Sequence, residues 1–199
     1  MVKRPDCLPA TLLAGLCLLS GCSAVTSQHV RPDYETKYAS SVLRISIIVT
    51  PLPAGSQAVG DLWSMMARQY VNQHRDFIVS VDQAGLVLPA DACAAPIEGL
   101  LVLVPEVVRV DGGVQASVKG RLLSCADGLE LWNVEAAGSF DDDDDDLALA
   151  RSHWTLVIGP EVTPYVDASF RLLTAALETL PSPRFPSDEY LREKIELGE

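Results

Sequence analysis

Three observations predict an α/β fold of the α+β kind, with a mixed sheet of about five strands. A strand, an amphipathic helix and a second strand succeed one another between residues 42 and 81. Three apolar runs separated by tight-turn signals lie between residues 97 and 137, and two helical stretches follow up to Leu180. A β-α-β start favours a parallel pair, and strands joined by tight turns make an antiparallel meander. The C-terminal helices are expected to pack on one face of that sheet.

The chain opens with Lys3 and Arg4, then an almost wholly apolar run from Leu8 to Leu19, then the small residues Ser20 and Gly21. That is the three-part layout of a secretory signal, and its apolar run is shorter than the roughly 20 residues of a spanning helix. Leu19-Ser20-Gly21-Cys22 resembles the lipobox of bacterial lipoproteins. The resemblance implies that residues 1–21 are a signal peptide, removed together with Cys7 and Cys17, and that Cys22 becomes the acylated first residue. An ordinary signal peptide cut at small residues is the alternative. One acyl chain holds a protein to a bilayer marginally and two or more hold it firmly, at roughly 0.8 kcal/mol per buried methylene. Ser23 stands where, by resemblance to the best-known sorting rule, an aspartate would retain the protein at the inner membrane. The expected location is therefore the cell envelope, at the periplasmic face of the outer membrane.

Residues 22–41 are mostly polar and lack clear periodicity, so they read as a flexible tether. The domain is expected over 42–182. In Val42 to Thr50, Ile45, Ile47 and Val49 fall on one face and Ile48 on the other, as in a strand covered on both sides. Pro51 and Pro53 end it, and Ser56 can cap the helix that follows. From Gln57 to His74, Val59, Leu62, Met65, Met66, Gln69, Tyr70 and Gln73 recur at steps of three and four, which makes an amphipathic helix. The paired methionines read as core gap-fillers rather than as a soft-metal or promiscuous binding face.

Phe77 to Val81 reads as the second strand, and Gln83 to Pro96 as short helix and loop carrying Cys93. Ile97 to Val110 is a long apolar run in which Pro105 marks an edge position or a bulge. Asp111-Gly112-Gly113 turns into an alternating strand over Val114 to Leu122. Ala126-Asp127-Gly128 turns again into Leu129 to Ala137, with Trp132 and Val134 on one face. The six carboxylates Asp141–Asp146 lack the spacing, glycine hinge and closing glutamate of a calcium loop, so they read as solvated. Helices are expected from Leu147 to Ile158 and from Glu161 to Leu180, divided by Gly159-Pro160. Pro181, Pro183 and Pro186 then leave residues 183–199 as a charged tail with a short helix from Ser187.

Without its leader the chain has 178 residues, enough for one domain with a core, and 13 Lys+Arg against 26 Asp+Glu, a formal charge of −13. No cluster of cations is present to neutralise phosphates, so nucleic acid is not an expected partner. Anionic headgroups would repel the body of the protein, leaving acylated Cys22 to hold it to the bilayer. Of the cysteines beyond the anchor, Cys93 and Cys125 read as a disulfide in an oxidising compartment, with two separate buried thiols as the alternative.

The order of elements is similar to the small α/β domain of the curli-secretion lipoprotein group and of the TolB amino-terminal type. Asp127-Gly128-Leu129-Glu130-Leu131-Trp132 resembles the D-G-x-x-x-W turn and strand of the former. Arg31-Pro-Asp-Tyr34, Tyr70-Val-Asn-Gln73, Gly159-Pro-Glu-Val162 and Phe170-Arg-Leu-Leu173 resemble an uncharacterised family of bacterial lipoproteins, which brings no activity with it. No segment corresponds to a pore-forming hairpin.

His29 falls in the tether, His74 at a helix end and His153 beside Trp154. No G-x-S-x-G, H-E-x-x-H or glycine-rich phosphate loop is present, and the Cys93, Cys125 and histidine spacings match no standard zinc site. No catalytic residue, metal or cofactor is assigned. The expected role is a non-catalytic interaction or assembly component of the envelope, with a protein partner that the sequence does not identify. A homo-oligomer built edge to edge through the meander is compatible with that role. The competing reading is an anchored envelope hydrolase using cleft carboxylates. A pocket with two facing carboxylates would favour the hydrolase, and an apolar patch rimmed by polar groups the interaction module.

Overall fold

The computed structural model describes residues 24–52, 56–85, 92–141 and 145–198; the lipobox and Cys22 lie outside them. The strands are β1 (Ala24–Val30), β2 (Arg44–Val49), β3 (Ile78–Ala84), β4 (Gly99–Val110), β5 (Gly113–Ser124) and β6 (Glu130–Asp141). The helices are α1 (Tyr34–Lys37), α2 (Gln57–His74), α3 (Ala148–Val157), α4 (Val166–Leu177) and α5 (Asp188–Gly198), with 3-10 turns at Asp145–Leu147 and Pro160–Tyr165. The six strands form one sheet in the order β1-β6-β5-β4-β2-β3. Strand β2 runs parallel to both β3 and β4, and the remaining pairs are antiparallel.

The β-α-β start and the β4-β5-β6 meander match the sequence reading, and the strand count is corrected from about five to six. The added strand is β1, which lies inside the segment expected as a tether. Its backbone pairs with β6 from Ala24 opposite Ala137 to Val30 opposite Trp132. The rest of that segment is also anchored, with Tyr34 and Tyr38 buried. From Ala24 onward the chain is therefore part of the domain. Strand β1 also covers the β6 edge of the meander, while β4 beyond Leu103 keeps an unpaired edge.

Helices α2 and α4 cover one face of the sheet. Between them and the strands lies the main core, including Trp63, Phe77, Leu101, Leu122, Trp132 and Leu172, all essentially inaccessible to water. Trp132 donates its indole N–H to the Thr179 hydroxyl at 3.2 Å. A Cβ on Gly120 would stand 3.0 Å from the Trp132 ring and 2.9 Å from Val134, so glycine leaves the space this ring fills. The motif preceding Trp132 is a turn with Gly128 at φ +70°, in the left-handed region that favours glycine. There the Asp127 carboxylate accepts the Leu129 N–H at 3.2 Å and the Tyr38 hydroxyl at 2.8 Å, tying the turn to the N-terminal segment.

The opposite face carries a smaller cluster of Ile48, Leu100 and Val102, packed by Ala92, Ile97, Leu123 and Cys125. Cys93 and Cys125 are joined there, with an S–S distance of 2.11 Å and Cα atoms 5.4 Å apart. The described part of the expected helix-and-loop stretch differs from expectation: β3 extends to Ala84, and residues 92–98 are turn and coil. Pro105 occupies an edge position, because the last β2 pair is Val49 with Leu103 and β4 has no neighbour on that side beyond it.

The short helix expected in the tail is present as α5. Helix α5 is docked, not free: Arg44 makes a forked contact with Glu193 at 2.6–3.1 Å and lies over the Tyr190 ring at 4.4 Å. Lys194 donates to the carbonyls of Val71 at 2.8 Å and Phe77 at 2.7 Å, and burial lowers its pKa to about 8.

Candidate functional site

The helix layer carries a groove between α2 and α3, floored by α4. Met65, Met66, Gln69, Tyr70, Gln73 and His74 form the α2 wall; Leu149, Ala150, His153, Trp154 and Val157 form the α3 wall. Phe170, Leu173 and Thr174 lie at the base, and Leu197 of α5 closes one end. The groove comprises two adjoining hollows of about 310 and 410 Å³ that share Gln69, Gln73, His153 and Trp154.

The placement of these residues follows from how each helix divides its faces. In α2 the buried stripe is Val59, Leu62, Trp63, Met66, Ala67 and Val71. The helical repeat of Met65, Gln69 and Gln73 marks the groove wall beside that stripe, so the α2 stripe read from sequence mixed core and surface. Met66 fills the core as expected, whereas Met65 opens to the groove. Helix α3 anchors itself through Trp154, its one buried residue. Leu149 and Leu156 point outward, each 87% exposed, with the exposed His153 on the same side. Residues spaced by three and four share a helix face, so 149, 153 and 156 form a stripe that no described segment covers.

Among the described residues the lining contains no carboxylate, although the chain has 27 Asp and Glu residues. Its polar groups are amides, the imidazoles of His74 and His153, the Tyr70 phenol and Arg68. Burial holds the Tyr70 phenol above its ordinary range. His74 packs against Tyr70 with ring centres 4.9 Å apart, and His153 meets Trp154 edge-on at 5.0 Å. Arg68 pairs with Asp82 at 3.1 Å on the outer rim. An apolar floor with largely neutral edges suits an apolar ridge flanked by polar groups.

A second cleft, of about 230 Å³, brings together Arg109, Arg151, Asp141 and Asp167 at one end of the sheet. Asp167 is nearly buried and forms an ion pair with Arg151. Its two carboxylates thus sit among guanidinium groups, unlike a facing acid pair. Asp145 and Asp146 begin the 3-10 turn before α3, and residues 142–144 of the acidic run lie outside the described residues. Among the described residues no group of three His, Cys, Asp or Glu side chains could hold a metal ion, and no helix is long and apolar enough to cross a membrane. His29 lies exposed on β1, not in a tether.

No family model matches the chain. No curated protein matches it either. Solved structures share its outline. They include the PelC dodecamer from Paraburkholderia phytofirmans, with TM-score 0.45 and 12% identity, covering 82% of this chain and 99% of that one. The hypothetical protein CT253 from Chlamydia trachomatis has TM-score 0.37 and 15% identity, covering 67% and 94%. The lipoprotein GNA1162 from Neisseria meningitidis has TM-score 0.34 and 19% identity, covering 57% and 97%. At these values the likeness is a loose one of outline, and it says nothing of what this chain binds.

Proposed function

We propose that the protein is a non-catalytic interaction component of the bacterial cell envelope. Acylated Cys22 holds it to the bilayer at the periplasmic face of the outer membrane, and the α2–α3 groove engages an envelope protein. The observation that carries the groove reading is the outward stripe of Leu149 and Leu156 beside a lining whose described residues include no carboxylate. Two leucines this exposed on one helix face, about 10 Å apart and beside a groove with neutral walls, fit a surface that something covers. The partner surface that fits is an amphipathic helix with its apolar edge in the groove and polar flanks.

The test is a photo-crosslinking amino acid placed at Leu156 in intact cells, with Lys119 on the opposite face as control. The expected result is a discrete adduct from position 156 that is absent from 119 and lost when Leu149→Asp is added. Equal labelling from both positions, or an adduct indifferent to Leu149→Asp, removes the groove from the account.

A further inference from the structure

The register of the sheet shows which end of the molecule the anchor adjoins. Ala24, the first residue of β1, pairs with Ala137; Ala137 pairs with Ser117, and Ser117 with Glu106. Cys22 is two peptide steps before Ala24, so its Cα lies at most about 7 Å away. The β4–β5 hairpin runs on past the Glu106–Ser117 row through Val107 to Val110, about 13 Å at the usual rise per residue. The hairpin tip and the anchoring cysteine therefore belong to the same end of the sheet.

The face of that end turned away from the helices differs from the rest. It presents Val108, 57% exposed, and Val110, 36% exposed, beside Gln115, Ala137, Gly138 and Ser139. Glu106, Asp111 and Asp141 stand at its margins. Further along the same face come Lys119 and Glu135, paired at 3.4 Å, and then exposed Arg121. Within the patch β4 and β5 thus present Val108, Val110 and Gln115, while acidic residues surround it, in a chain whose mature formal charge is −13.

We propose that this Val108–Val110 patch is a second contact with the bilayer, which fixes the domain's orientation on the membrane. The inference rests on acylation of Cys22, because that anchor brings the lipid surface to the end of the sheet where the patch lies, three strands across from β1. A contact too weak to bind membrane alone suffices once the anchor makes it intramolecular. Asp111 at the hairpin turn and Asp141 at the end of β6 oppose anionic headgroups, so the patch rests on zwitterionic lipid and loosens as anionic lipid is added.

The test uses the full acylated mature chain in vesicles of phosphatidylethanolamine and phosphatidylcholine containing brominated acyl chains. An environment-sensitive fluorophore is attached at Val110→Cys, at Val108→Cys as a second reporter, or at Arg121→Cys further along the same face. The expected result is quenching at least twofold greater at 110 and 108 than at 121, falling as phosphatidylglycerol is added. Equal quenching at all three positions, high or low, in a chain shown by mass to be acylated overturns this inference and leaves the anchor standing. A bare Cys22 overturns the anchor reading, and the orientation with it.

Discussion

The side-chain amide of Asn72 on α2 hydrogen-bonds both backbone groups of Val79 on β3. Its nitrogen donates to the Val79 carbonyl at 2.8 Å, and its oxygen accepts the Val79 N–H at 3.0 Å. The register between β2 and β3 slips just here, with Ile45 opposite Val79 and Ser46 opposite Val81. An asparagine on the packed face of the helix thus stands in for a strand at an irregular edge. Replacing it with leucine leaves two buried backbone groups unmade, each costing about 1–3 kcal/mol. Asn72→Leu is expected to lower unfolding free energy by about 2–4 kcal/mol in urea denaturation, whereas Gln73→Leu one residue on changes it little.

The Cys93–Cys125 bridge closes a loop with a sequence separation of 32. On the chain-entropy model this contributes about 3–4 kcal/mol. Reduction should therefore shift the urea midpoint downward. Hydrogen exchange should quicken first around Ile97, Leu100 and Val102, where the bridged loop covers the sheet, and last around Trp132 on the other face.

Lys194 links stability to pH. Its folded pKa is lowered by burial to about 8, against 10.5 for an ordinary lysine. Between those values the unfolded chain holds a proton that the folded chain lacks, so stability rises with pH across the window. Below about 8 both states are protonated and the full penalty of burying the charge remains. The urea midpoint should climb from pH 8 to 9.5 in the wild type and stay flat over that interval in Lys194→Met.

Leu149 and Leu156 make few contacts that folding could exploit. Leu149→Ser and Leu156→Ser are expected to leave unfolding free energy within about 0.5 kcal/mol of the wild type, as for exposed positions in general. Trp154→Ala, on the same helix as Leu149 but buried, should cost about 3–5 kcal/mol. Thermal unfolding of the three variants separates a surface kept for contact from one kept for packing.

The parts of the fold legible in the sequence were those written in side chains. Alternating apolar residues gave β2, β4, β5 and β6, tight-turn residues gave the meander, and the 3.6 period gave α2 and the C-terminal helices. Strand β1 left no such mark, because Ser27, Gln28 and His29 are exposed and the strand is held by its backbone ladder to β6. Helix α5 was legible as a short helix from Ser187, but its docking was not, because it rests on Arg44 with Glu193 and on Lys194 with two carbonyls, pairings remote in sequence. The groove was half visible. Met65, Gln69 and Gln73 carry the helical period, but only the tertiary arrangement shows that they face α3 and not the sheet.

The whole account turns on what Cys22 carries. Intact mass spectrometry of the protein purified from membranes of its own host reads this directly. The expected species begins at residue 22 and carries a diacylglyceryl group with or without an N-acyl chain, on a body whose other two cysteines are bridged. A chain that begins elsewhere, keeps residues 1–21 or has an unmodified thiol at Cys22 contradicts it.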